Sequence, residues 1–194
     1  TVTNEGTLAL TGKDGAVGIY SNASTVKNKK IITTTNEGSV AIYGKTGSTL
    51  TNEGTGEITT SGKSSVGIFA DSSTATNEIG GKITTSGTGS AGIYGTNNST
   101  VNNAGVITTE ETGSAGIYAN ESNATNESTG MITSKKGSSA GIYAVSTNAK
   151  DTKNAGTIEV GLAGSSETNG VGIYAEGHQN VENTGNINIH IKNS

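Results

Sequence analysis

The chain has no cysteine, no proline and no tryptophan among its 194 residues, and its twelve basic residues are all lysine. Without cysteine there is neither a disulfide framework nor a thiolate metal site. Apolar runs approaching the roughly 20 residues of a membrane helix are also missing, and residues 1–20 do not show the basic start, apolar stretch and cleavage site of a secretory leader. A formal net charge of −4 and a pI near 5.2 argue against nucleic acid, whose phosphates need a basic face. Leu, Ile, Val and Phe together supply only 34 residues. So small an apolar share is common in disordered chains, but those also carry high net charge, which this one does not.

What is present is Thr, Gly, Ser and Asn, at 32, 30, 22 and 21 residues, written into a repeat. The phrase GSAGIY at 89–94 returns unchanged at 113–118, and AVGIY, SVAIY, SVGIF, SAGIY and GVGIY occur elsewhere. All seven aromatic residues belong to these phrases: Tyr20, Tyr43, Phe69, Tyr94, Tyr118, Tyr143 and Tyr174, spaced 23, 26, 25, 24, 25 and 31 apart. A second register mark is Asn4, Asn28, Asn52, Asn77, Asn103, Asn126, Asn154 and Asn183. A third is Leu8, Ile32, Ile58, Ile83, Ile107, Ile132, Ile158 and Ile187. Disorder has no reason to hold such long-range register.

From the Ile to the next aromatic is 11 residues in five consecutive units, whereas the other two distances vary, so one corner is fixed and two are loose. Each marked stretch is short, β-branched and alternating, with Gly, Asn and Ser between, and none reads as a helix. Three short strands in about 25 residues wind once around a prism. The fold expected is therefore all-β: a parallel β-helix of seven to eight coils, right-handed by the usual rule for parallel crossovers, forming one segment over 1–194 that is cut at both ends. Proline would remove a donor from the next coil, and there is none.

Period-two geometry assigns faces. In Val66-Gly67-Ile68-Phe69-Ala70, it puts Val66, Ile68 and Ala70 inside and Gly67 and Phe69 outside. The eight Asn usually share a face with an apolar residue two places earlier and are expected inward at a corner, bonding up and down the stack as a structural amide ladder. The seven aromatics then form an outward column. Either the rings merely cover one another and protect the sheet, or they are a rigid strip for glycan or protein contact. The unit ending at Tyr174 carries five extra residues around GLAGSSETN (161–169). Solenoid insertions become loops on one side, which makes Ser165, Ser166 and Glu167 further binding candidates, with a tolerated surface loop as the alternative.

Catalysis finds little support. Asp14, Asp71 and Asp151 fall in different coils, Glu110 and Glu111 are adjacent but would face opposite ways in a strand, and His178 and His190 assemble no triad or metal set. No catalytic residue, metal or cofactor is expected. An ice-binding threonine grid is not formed either, because the outward position before the Ile holds Glu57, Lys82, Val106 and Met131.

The phrases SVGIFA, TNEG (as in TNEGTL at 3–8) and ITTSG, as they stand in this chain, resemble the passenger repeats of very large bacterial autotransporter adhesins, most of all the fusobacterial, RadD-like type. The likeness runs over essentially the whole chain. It implies a right-handed parallel β-helix displayed outside a Gram-negative cell, anchored through a C-terminal outer-membrane barrel not present here. It implies adhesion, with a host or bacterial cell-surface protein or glycan as partner, no nucleic acid, no insertion of this segment into a membrane, and a monomer. The lack of Cys suits a passenger that crosses the periplasm unfolded. The alternatives are a purely structural spacer and a polysaccharide-degrading β-helix enzyme. No binding residue carries over, because the shared wording is scaffold.

Overall fold

The computed structural model describes residues 1–162 and 169–190 and shows three parallel strand ladders wound into a β-solenoid of about 25 residues per turn, with no helix among the described residues. One turn reads Val66–Asp71, Thr74–Asn77, Lys82–Thr85. Each strand pairs in parallel with its counterpart one turn below and above, so Ile83 lies between Ile58 and Ile107 and Asn77 between Asn52 and Asn103. Parallel strands this short cannot be joined by hairpins. Winding the chain around the stack is what lets every turn exchange backbone hydrogen bonds with the turns beneath and above it. With about 4.8 Å per turn, the eight rows of the stack make a rod on the order of 35 Å long.

The core is narrow, with apolar columns flanked by buried Asn, Ser and Thr. Its largest fully buried side chains are eleven isoleucines in two columns, typified by Ile68, Ile93, Ile117 and by Ile58, Ile83, Ile107, and Leu50 in the third ladder between Val26 and Ala75. Each such side chain contributes about 1.5–3 kcal/mol relative to exposure. Because the stack is in register, like meets like, and a β-branched side chain packs directly on its own copy.

The face assignment of the aromatic strand needs one correction. Val66 is not inside with Ile68: it lies half-buried on the outer face, where it lines the same surface hollow as the rings Tyr94 and Tyr118. Gly67 points inward instead. A Cβ on Gly67 would sit 2.7 Å from Ile83 Cγ2 and 2.5 Å from the Gly92 carbonyl oxygen, and Gly92, Gly116 and Gly141 repeat the collision with Ile107, Ile132 and Ile158. Two consecutive residues, Gly67 and Ile68, therefore face the core, and alternation resumes only after them. The strand bends here, and a glycine admits the close approach of the facing ladder. Ala41, which holds this position in one turn, is fully buried.

After Met131–Ser134 two successive turns run as continuous strands, Ala140–Asn154 and Val171–Asn183, which pair with each other with a register shift between Ser146 and Lys150. The corner of the first is longer because 11 residues separate Tyr143 from Asn154.

Candidate functional site: the aromatic flank

Three kinds of side-chain ladder hold the corners that position the flank. The eight asparagines form an unbroken chain of amides: each Nδ2 donates to the Oδ1 of the next, from Asn4 to Asn28 at 2.8 Å through to Asn154 to Asn183 at 2.7 Å. The remaining amide hydrogen serves a corner carbonyl, as from Asn77 to Gly81 at 3.2 Å and from Asn103 to Gly105 at 3.2 Å. A buried amide that satisfies itself in both directions avoids the penalty of an unpaired polar group.

Two serine ladders went unrecognised in the sequence. Just ahead of the aromatic strand, the N–H groups of Ser65, Ser90 and Ser114 donate to the hydroxyls of Ser90, Ser114 and Ser139 in the next turn, at 3.2–3.3 Å. On its far side Ser48, Ser73 and Ser99 do the same to Ser73, Ser99 and Ser122 at 3.1 Å. The first set had a signal, a Ser fixed before Val or Ala in SVAIY, SVGIF and SAGIY. Both ladders clamp the ends of the strand that carries the rings, so its outer residues stand on a rigid base.

On that base the seven aromatics project outward and touch in sequence, with ring centroids 4.6–5.5 Å apart. From Tyr20 to Tyr118 consecutive rings are near perpendicular, 80–90°. Above Tyr118 the arrangement changes to parallel, at 5° for Tyr118 with Tyr143 and 12° for Tyr143 with Tyr174. Edge-to-face and offset contacts both suit the ring quadrupole. The end rings are the most open, Tyr20 at 55% and Tyr174 at 37%, while the others are half-buried by their neighbours. Burial, with Tyr94 and Tyr143 alongside, pushes the Tyr118 phenol above its ordinary pKa. The Tyr174 hydroxyl donates to Glu176 at 2.8 Å, and that bond, with the carboxylate's charge, raises Tyr174. These phenols therefore stay protonated donors at neutral pH.

Carboxylates elsewhere are spent on the scaffold. Glu53, Glu5, Glu57 and Glu110 each meet a lysine of an adjacent turn, Lys27, Lys29, Lys82 and Lys135, at 2.8–3.4 Å. Exposed pairs like these contribute little each. Glu121 has a sharper role. It receives the Thr147 backbone N–H at 2.8 Å, the Thr147 and Ser146 hydroxyls at 2.7 Å and the Asn148 amide at 3.3 Å. Those donors, the Thr147 N–H foremost, lower its pKa to about 2. It ties down the lengthened corner of the next turn. His190 and Asn188 both contact Glu159 at 2.7 Å, and Asn188 chiefly, then His190, lowers the pKa of that carboxyl. His178 is exposed and apart from them. Among the described residues no three of His, Asp and Glu gather as a metal-binding group.

Ser165, Ser166 and Glu167 lie outside the described residues. The structure thus brings the aromatic candidates together in one column, holds the Asn in a ladder that is buried from Asn28 to Asn154 and open at Asn4 and Asn183, and pairs several charged groups across turns.

No curated protein and no solved structure matches this chain. One family does, described as the BigA third pectate lyase-like domain, and the match runs over residues 1–194. A helix-free stack of parallel turns agrees with a pectate lyase-like domain. By that full-length match, the chain belongs to the family of the BigA third pectate lyase-like domain.

Proposed function

We propose that this chain is a surface-displayed segment of a bacterial adhesin, an outer-membrane-anchored autotransporter passenger of the RadD-like kind, and that its aromatic flank makes contact with other cells. The partner is a protein or glycan of a bacterial or host surface, the segment acts without catalysis or cofactor, and it does so as a monomer. One observation carries the reading: the chain places every aromatic residue it has on one flank, and serine ladders clamp both ends of the strands that bear Phe69, Tyr94 and Tyr118. Family membership and the repeat wording support display outside the cell. A core shielded by its own rings would need only enough of them to cover the sheet. A continuous column offers in addition large, rigid contact area at low entropy cost.

Beads coated with the domain test this against bacterial and host cells. The triple variant Tyr94→Ser, Tyr118→Ser, Tyr143→Ser is expected to retain its β circular-dichroism spectrum and lose adherence. Absence of adherence by the unaltered domain would leave it as a spacer. Equal adherence by both would move the contact to another face.

A further inference from the structure

Beside the rings, one position of the repeat changes along the rod. Three residues before each aromatic stands Val17, Val40 or Val66 in the first three turns, Ala91, Ala115 or Ala140 in the next three, and Val171 in the last. This is the outward position that the bend at glycine creates. Each exchange of Val for Ala takes two methyl groups off the outer floor, and three in succession hollow a trough. Two cavities record it, about 320 Å³ over Ala91 and Ala115 and about 230 Å³ over Ala115 and Ala140. They share Ala115 and Tyr118 and so run together along the rod. Its length is three turns, roughly 14 Å. Tyr94, Tyr118 and Tyr143 form one wall, and the opposite rim is the corner where Gly89 and Gly113 take left-handed φ of 67° and 69°.

Among the described residues no charged side chain lines either hollow, in a chain with 12 lysines and 16 acidic residues. A charged ligand would therefore lose water there and gain no partner. An extended peptide fares badly for a different reason. Lying along the rod it crosses the strands at right angles and cannot add to a sheet, so its backbone N–H and C=O groups would go unpaired over the alanine floor. Neutral sugar rings match the trough: apolar C–H faces for the alanines and ring surfaces, hydroxyls that donate or accept at the rim, and a wall that repeats every 4.8 Å or so, the length scale of one ring.

We infer that the trough floored by Ala91, Ala115 and Ala140 binds a neutral carbohydrate chain laid along the rod axis, about one sugar ring per turn. The inference rests on the reading of the aromatic flank as a contact surface and names its ligand class and its place. Val66 lines the one hollow and Val171 the other, and these larger side chains mark the two ends of the alanine floor.

The test uses intrinsic tyrosine emission, which reports the column alone because all six tyrosines stand in it and there is no tryptophan. Cellohexaose, maltohexaose and xylohexaose are titrated as neutral probes, with hexagalacturonate as the charged one and a neutral Ser/Gly/Thr dodecapeptide as the peptide. The key variant, Ala91→Val, Ala115→Val, Ala140→Val, gives the middle turns the floor that four other turns already carry, and so folds while filling the trough. The expected result is saturable binding of a neutral hexamer with Kd of about 1 mM or below, weakened about tenfold or more in the valine variant. Any of four results overturns the inference: no response to any neutral hexamer, equal binding by the valine variant, hexagalacturonate binding as tightly, or response to the peptide alone. Bead adherence separates the two readings. Adherence that survives in the valine variant without sugar binding removes the trough and keeps the contact flank; sugar binding without adherence keeps the trough and removes the adhesive role.

Discussion

Asn103 donates its side-chain Nδ2 to the Oδ1 of Asn126 at 2.8 Å, across 23 residues of chain and one turn of the solenoid. Asn77 donates to Asn103 in the same way at 2.9 Å. Each residue in this ladder is thus both a donor and an acceptor, and only an amide offers both at this geometry.

Replacing Asn103 distinguishes the two halves of that role. Asn103→Ala strands the Asn77 donor and the Asn126 acceptor and is expected to cost about 2–4 kcal/mol. Asn103→Asp keeps the acceptor but loses the donor, and at neutral pH it buries an anion against the Asn126 oxygen. Burial raises that carboxyl's pKa in the folded state, so the penalty is complete above the folded value, fades as the pH falls from there toward the ordinary carboxylate range, and is gone below it. Denaturant melts of both variants at pH 7 and pH 4 check this; an Asp variant insensitive to pH would place the side chain in solvent.

Gly116→Val tests the inward glycine. A Cβ there would collide with Ile132 Cγ2 and sit 2.7 Å from the Gly141 carbonyl oxygen. Overpacking of this kind is expected to cost about 1–3 kcal/mol, shared among neighbouring turns that must shift. On a regular alternation the same valine would stand outside and change stability by only a few tenths, about the range of an ordinary surface exchange. Chemical denaturation reads the difference directly.

A gain is expected at Thr85. Its hydroxyl is buried without a hydrogen-bond partner, as are those of Thr60 and Thr109 directly below and above it. Valine has nearly the same shape and favours strands. Removing the unpaired hydroxyl in Thr85→Val should stabilise the fold by about 1 kcal/mol, or roughly 2–4 °C in Tm for a chain of this size. A lower Tm would mean that the hydroxyl is satisfied in solution.

Glu121 gives the fold a pH dependence in acid. Its donors lower the pKa from 4.5 to about 2, so its contribution is whole above the unfolded value and is lost as the pH falls through the folded one. The stability difference between the protein and Glu121→Gln should therefore shrink between pH 5 and about pH 2. Hydrogen exchange at Thr147, whose N–H donates to this carboxylate, should quicken in the variant at neutral pH. A constant difference across that range would detach Glu121 from the corner.

Much of the architecture was legible because a parallel in-register stack turns spatial period into sequence period. Asn77 sits above Asn52 and Ile83 above Ile58 for the same reason that they stand 25 residues apart in the chain. Residues with a costly or bulky side chain, such as a buried amide, a core isoleucine or a ring, reveal that repetition plainly. Serine does not. The chain has 22 serines, and those that clamp the strand ends read like turn residues, since a hydroxyl suits either place.

The inward glycine was beyond reach for a related reason. Alternation is read from side chains, and Gly67 has none, so nothing in the sequence marks the two consecutive inward residues that move Val66 to the outer face. That bend then decides what the flank can do, because it sets the floor beneath the rings. The solenoid, its period, its asparagine ladder and its single line of aromatics could all be read from the chain, because like residues stack on like. Which neighbours of each ring face outward, and how deep the surface runs beside it, emerge on folding, since depth depends on contacts between ladders that lie about half a turn apart along the chain.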